Sequence, residues 1–159
     1  MRWTIKPKPD PSKVARLSKE LAVDSTTSFL LAQRGIETFE EAKNFFRPDL
    51  SDLHDPFLMK DMEKAVSRIE EAVENQENIL VYGDYDVDGT TSVALMSSYL
   101  LSFYPNVATY IPDRYDEGYG ISYKGIDFAE DNNFSLIIAL DCGIKAIDKV
   151  AYASKKGID

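Results

Sequence analysis

The run Gly83 to Ser92, GDYDVDGTTS, sets three aspartates on alternate positions directly after the apolar residues Ile79, Leu80, Val81 and Tyr82. Asp84, Asp86 and Asp88 repel one another when ionised, so a chain that crowds them together must supply cations, hydrogen-bond donors or solvent. A divalent metal is the simplest supply. His54 is the sole histidine and Cys142 the sole cysteine, so a metal centre built here is mainly carboxylate. Oxygen donors of that kind favour Mg2+ or Mn2+ over zinc.

A strand must carry such a cluster, and the second half of the chain offers three. Ile79–Tyr82, Val107–Ile111 and Leu136–Leu140 are apolar runs of strand length, spaced about 28 residues apart, with helical segments between them. Their apolarity is continuous rather than alternating, which predicts strands covered on both faces, as in a parallel sheet. Thr90–Phe103 is the strongest helical pattern and Ile144–Lys155 the last. Ligands of parallel sheets bind beyond the carboxyl ends of the strands. Asp84 to Asp88, the stretch from Asp113, and Asp141 all lie at such ends, and they share one rim only if the three strands are parallel neighbours.

The first half reads as short helices. Asp10 and Pro11 form a cap and first-turn pair ahead of Val14, Leu17 and Leu21, and Ser25 opens a second apolar stretch closed by Gly35. Thr38 and Glu41 have capping-box spacing before Ala42, Phe45 and Phe46, and Pro48 stops that helix. Leu50 to Phe57 reads as a loop. From Lys60, a stripe of Met62, Ala65, Val66, Ile69, Ala72 and Val73 runs to about Asn75. The fold class expected is α/β, a parallel sheet with helices on both faces, preceded by a helical N-terminal extension; the division expected is 1–76 and 77–159.

Composition narrows the function. At 159 residues, 44% apolar and 28% charged, the chain can bury a core. No window reaches the length of a membrane span and no secretory segment opens the chain, which predicts a cytoplasmic protein with no membrane partner. A single cysteine excludes an internal disulfide framework. The net charge of −9 argues against holding nucleic acid on a broad basic surface.

Several chemistries use clustered aspartates. Asp84 to Gly89 matches the opening of a calcium EF-hand loop, but the twelfth position, normally Glu, is Leu95, and a strand precedes it. No GxxxxGK run for a nucleotide triphosphatase occurs. Asp86 to Thr90, DVDGT, is similar to the first motif of haloacid-dehalogenase-like phosphatases, which implies Asp86 as a covalent nucleophile and Asp88 as a general acid. The later motifs of that family do not follow in order.

A second resemblance covers nearly the whole chain. The segments LLAQRGIETFEEAKNFF (30–46), DLHDPFLMKDMEKAVSRI (52–69), VYGDYDVDGTTS (81–92), IPDRYDEGYGIS (111–122) and LIIALDCGI (136–144) together resemble the RecJ-like branch of the DHH phosphoesterase family. This implies a phosphodiesterase using two Mn2+ or Mg2+ ions, degrading single-stranded DNA from its 5′ end in repair and recombination. Asp86, Asp88 and Asp141 match the family's catalytic metal ligands, with Asp84 beside them as a further ligand or its support. Two cations held this way can activate water and stabilise the leaving oxygen, so no protein nucleophile is needed. Single-strand-binding protein and a helicase are partners of the kind the resemblance suggests.

For substrate, Arg114 offers a planar guanidinium for a phosphate, set against a salt bridge to Asp113, Asp116 or Glu117. Tyr119 and Gly120 lie in the same loop, where Tyr115, Tyr119 and Tyr123 can stack on bases or pack on their own domain. Tyr82 stands where many members of the family have a metal-binding histidine, and Cys142 where asparagine is usual. The family's Asp-His-His motif belongs at the end of a next strand that would begin near Ile158 and Asp159. The expectation is therefore a fragment without exonuclease activity of its own, whose open sheet edge can pair as a homodimer. A non-catalytic scaffold module is the remaining alternative.

Overall fold

The computed structural model describes residues 2–159 and divides into two compact units, Met1–Leu58 and Met59–Asp159. In the first unit, α1 (Pro11–Leu21), α2 (Ser25–Gln33) and α3 (Phe39–Phe46) follow in short order. Asp10 caps α1 through Ser12, as the Asp-Pro pair predicts, and α2 opens at Ser25 with Asp24 as its N-cap. The Asp24 carboxylate accepts the N–H groups of Thr26 and Thr27, leaving Ser25 as the first helical residue. Thr38 and Glu41 form the capping box. Leu17, Leu31 and Ala32 make the small core of this unit. The segment read as a loop holds two 3-10 turns, Leu50–Asp52 and Pro56–Leu58, with the exposed His54 between them.

The second unit holds α4 (Met62–Glu74), β1 (Asn78–Gly83), α5 (Val87–Leu101), β2 (Val107–Tyr110), α6 (Tyr123–Asp131), β3 (Phe134–Leu140) and α7 (Ile147–Lys155). The helix at 62–74, grouped by sequence with the N-terminal extension, clusters here because Ile69, Ala72 and Val73 pack on the sheet. The three strands are parallel in the order β2-β1-β3, so β1 is central. Alternate β1 residues bury opposite ways. Ile79 and Val81 join Ala72, Val93 and Leu100 on one face; Leu80 and Tyr82 join Ile126, Ala129 and Ala153 on the other. Both faces are thereby covered, which is why the strands read as unbroken apolar runs.

Register sets the rim. Gly83 pairs with Leu140 and Tyr82 with Tyr110, so the residues that follow, Asp84 and Asp141, leave the sheet side by side. Beyond α7, the Asp159 N–H donates to the Ser135 carbonyl at 2.9 Å and the Ile137 N–H to the Asp159 carbonyl at 2.8 Å. The chain there runs strand-like along the free edge of β3. Among the described residues no helix is long and apolar enough to cross a membrane.

Candidate metal centre at the carboxyl rim of the sheet

The turn from β1 into α5 is tighter than the sequence suggests. The helix begins at Val87 rather than Thr90, which makes Asp86 its N-cap and puts Asp88 in its first turn. Asp86 Oδ1 accepts the Gly89 N–H at 2.9 Å, and Thr90 Oγ1 donates to the Asp86 carbonyl at 2.7 Å. Acidic groups at a helix N-terminus are favoured by the unpaired N–H groups and the helix dipole. Part of the mutual repulsion of Asp86 and Asp88 is absorbed in this way. The close approach needs Gly89, where a Cβ would lie 2.5 Å from the Asp84 carbonyl oxygen and 2.6 Å from its nitrogen.

Asp84 is fully buried. Its carboxylate accepts the Tyr85 N–H at 2.7 Å and the Gly120 N–H at 3.0 Å, so two backbone donors replace solvent. Asp141 is exposed and has φ 57, a left-handed conformation that aspartate tolerates better than most residues. Tyr119 spans the group, donating its hydroxyl to Asp86 Oδ2 at 3.2 Å. The negative charge of Asp86, that hydrogen bond, and weaker contributions from Asp84 and Asp141 push the Tyr119 phenol up to about 12. Burial, reinforced by Asp84, Asp141 and Asp86, pushes the Cys142 thiol up to about 11. The carboxylates of one turn, Asp84 and Asp86, and the sequence-distant Asp141 thus act on the same two side chains. Asp88 lies in the exposed first turn of α5.

Arg114 is exposed and lies over the Tyr85 ring, 4.6 Å from its centroid, and Tyr85 meets Tyr119 edge-on at 5.8 Å. Among the described residues Arg114 makes no salt bridge. The acids that sequence offers as partners are occupied: Asp113 accepts the N–H groups of Tyr115 and Asp116, Asp116 faces Lys124 at 3.9 Å, and Glu117 binds Tyr110 and Ser122. Tyr85 and Glu117, which no spacing signal marks in the sequence, are thus part of this rim. Tyr82 is buried, and its hydroxyl donates to the Gly120 carbonyl at 3.1 Å and accepts the Ser122 N–H at 3.1 Å. It props the 111–122 loop. Tyr115 stands almost free at 91% exposure, whereas Tyr123 packs edge-on against Tyr152.

The DHH family, N-terminal domain, matches residues 78–159. The chain belongs to the DHH family. Over all 159 residues it is 41% identical to the single-stranded-DNA-specific exonuclease RecJ of Bacillus subtilis, of which it spans 20%. It is 33% identical over 110 residues to the Haemophilus influenzae protein of the same name, covering 69% of this chain and 19% of that one. A crystal structure of exonuclease RecJ bound to manganese superposes with a TM-score of 0.58 at 30% identity over 64% of this chain and 26% of that one. RecJ from Thermus thermophilus, in complex with Mn2+, shares the fold with a TM-score of 0.68 at 23% identity, over 96% of this chain and 21% of that one. The chain therefore corresponds to about a fifth of the length of the curated relatives it matches. With this membership, nothing in the fold favours the haloacid-dehalogenase alternative.

The donor chemistry at the rim suits a hard divalent cation, because every acidic ligand candidate there supplies carboxylate oxygens. The set is partial. Among the described residues no three His, Cys, Asp or Glu side chains group closely enough to hold an ion by themselves.

Proposed function

We propose that this chain is part of the catalytic region of a metal-dependent exonuclease that degrades single-stranded DNA from its 5′ end in repair and recombination. Asp84, Asp86, Asp88 and Asp141 would hold Mn2+ or Mg2+, in a two-metal arrangement, at the carboxyl rim of β1 and β3. The observation that supports this reading is the register of β1 and β3, from which Asp84 and Asp141 leave side by side with Asp86 two residues on, in a chain 41% identical to a named single-strand exonuclease. Bound divalent cations supply a Lewis acid for the scissile phosphate and a means of activating water.

The chain's own residues prepare that site. Asp86 is oriented from both sides, by the Gly89 N–H and the Tyr119 hydroxyl. Asp84 is fixed by backbone donors and shielded from solvent. Arg114, free of carboxylate partners, keeps its guanidinium edge available for a DNA phosphate while Tyr85 supports its face. Tyr119 and Gly120 form the remaining wall on the side of the substrate. No basic surface is required, because cations at the rim would offset the chain's negative charge where the phosphate sits.

Titration of Mn2+ into the chain, followed by electron paramagnetic resonance, tests the centre. Weak binding that falls at least tenfold in Asp86→Asn and Asp141→Asn is expected, and binding indifferent to both substitutions sinks the assignment. In the full-length protein, the same substitutions should lower degradation of 5′-labelled single-stranded DNA at least a hundredfold. A full-length protein that binds single strands without cleaving them would make it a scaffold instead.

A further inference from the structure

The loop between β2 and α6, residues 111–122, has no regular structure, yet it delivers two groups to the rim: the Gly120 N–H to Asp84 and the Tyr119 hydroxyl to Asp86. Ordering an irregular loop costs backbone entropy, so specific contacts must hold it. Gly118 and Gly120, with φ 81 and 82, let the loop turn but bring no side chain to hold it.

Glu117 supplies the hold. Its Oε1 accepts the Asp113 N–H at 2.8 Å, and its Oε2 accepts the Tyr110 hydroxyl at 2.9 Å and the Ser122 hydroxyl. One carboxylate thus ties the last residue of β2, the start of the loop and the N-cap of α6. From Ser122 the hydrogen bonds continue through the buried Tyr82 hydroxyl to the Gly120 carbonyl, and the Gly120 N–H then meets Asp84. Burial opposes the charge on Glu117, but the donors from Ser122, Asp113 and Tyr110 outweigh it and hold the carboxyl below its ordinary range. Hydrogen bonds to an ionised acceptor are roughly twice as strong as neutral ones, which suits a single side chain to this task.

We infer that Glu117 is a positioning residue: its carboxylate locks the 111–122 loop so that Tyr119 and Gly120 meet Asp86 and Asp84 and Arg114 stays beside the rim. The catalytic part of this role rests on the reading of those aspartates as a metal-dependent nuclease centre. The lock itself does not.

Amide hydrogen exchange of the chain, read residue by residue by NMR, tests the lock. Glu117→Ala should speed exchange at Gly120 and Asp113 at least tenfold while Leu80 and Val81 in β1 stay as in the wild type. Glu117→Gln keeps an acceptor for the Asp113 N–H and a polar group against both hydroxyls, so its rates should stay within about threefold of wild type. Tyr110→Phe preserves the ring and removes one donor; it should give an intermediate acceleration and serves if Glu117→Ala does not fold. Unchanged exchange at Gly120 in Glu117→Ala and Tyr110→Phe overturns the lock. In the full-length protein, Glu117→Ala should lower kcat on single-stranded DNA at least tenfold with KM within about twofold, and Glu117→Gln should restore most of it. A loosened loop with unchanged kcat overturns the positioning role. A wild-type protein without nuclease activity overturns the nuclease reading and the catalytic role with it, and leaves the lock to be judged by exchange alone.

Discussion

Asp86 does two jobs that can be pulled apart. As the N-cap of α5 it needs an acceptor oxygen; as a metal ligand it needs charge. Asparagine keeps the first and loses the second, so Asp86→Asn should leave the unfolding midpoint nearly unchanged, whereas Asp86→Ala should cost about 1 kcal/mol in a denaturant titration. The Asn substitution should also bring the Tyr119 phenol down from about 12, because Asp86 is the main cause of its elevation. Ultraviolet titration of tyrosinate against a Tyr119→Phe control reads this. Cys142 makes the opposite kind of prediction. Its folded thiol ionises near 11 against an ordinary 9.0, so folding favours the protonated form. The stability this confers is whole below pH 9, and is lost as the pH climbs through 11. Alkylation by iodoacetamide at about pH 8 should accordingly be slow in the native chain and fast in urea.

At the scale of the element, the β1–α5 turn works because the two glycines flanking the aspartates let backbone meet backbone. Gly83 would drive a Cβ into Val93 and the Gly89 carbonyl, and Gly89 would drive one into the Asp84 backbone. Alanine is the better helix former, but Gly89→Ala at this packed contact should destabilise the unit by about 1–3 kcal/mol, measured by denaturant unfolding. It should also weaken Mn2+ binding, since Asp86 and Asp88 travel with the start of the helix. Sequence anticipated a strand, an acidic turn and a helix in this order, but started the helix at Thr90. Apolar periodicity marks where a helix buries its face, not where its first turn closes; an aspartate cap placed the start at Val87.

For the molecule as a whole, we propose that this chain by itself does not degrade single-stranded DNA. Purified residues 1–159 should leave 5′-labelled single-stranded DNA intact in Mn2+; robust degradation would refute this. The β3 edge carries Asp159 only at Ser135 and Ile137, and β2 is the other edge of the sheet. Edge pairing into a homodimer is therefore proposed for this chain, and a monomer in size-exclusion chromatography across the accessible concentrations would rule it out.

The sequence by itself determined the α/β class, the three strands and the identity of the acidic turn, because apolar run length and side-chain chemistry are local properties. It also named Asp84, Asp86, Asp88 and Asp141 as the residues to watch. Only the tertiary structure decided that β1 lies between β2 and β3, which sets Asp84 beside Asp141, since strand order follows from the packing of α4 to α7 and not from any one segment. Sequence assigned Tyr85 no role, and marked Tyr82 only as a family position and Glu117 only as an ion-pair partner for Arg114. Each acts through a partner brought near by folding: Arg114 on the Tyr85 ring, Gly120 on the Tyr82 hydroxyl, and Ser122 on the Glu117 carboxylate.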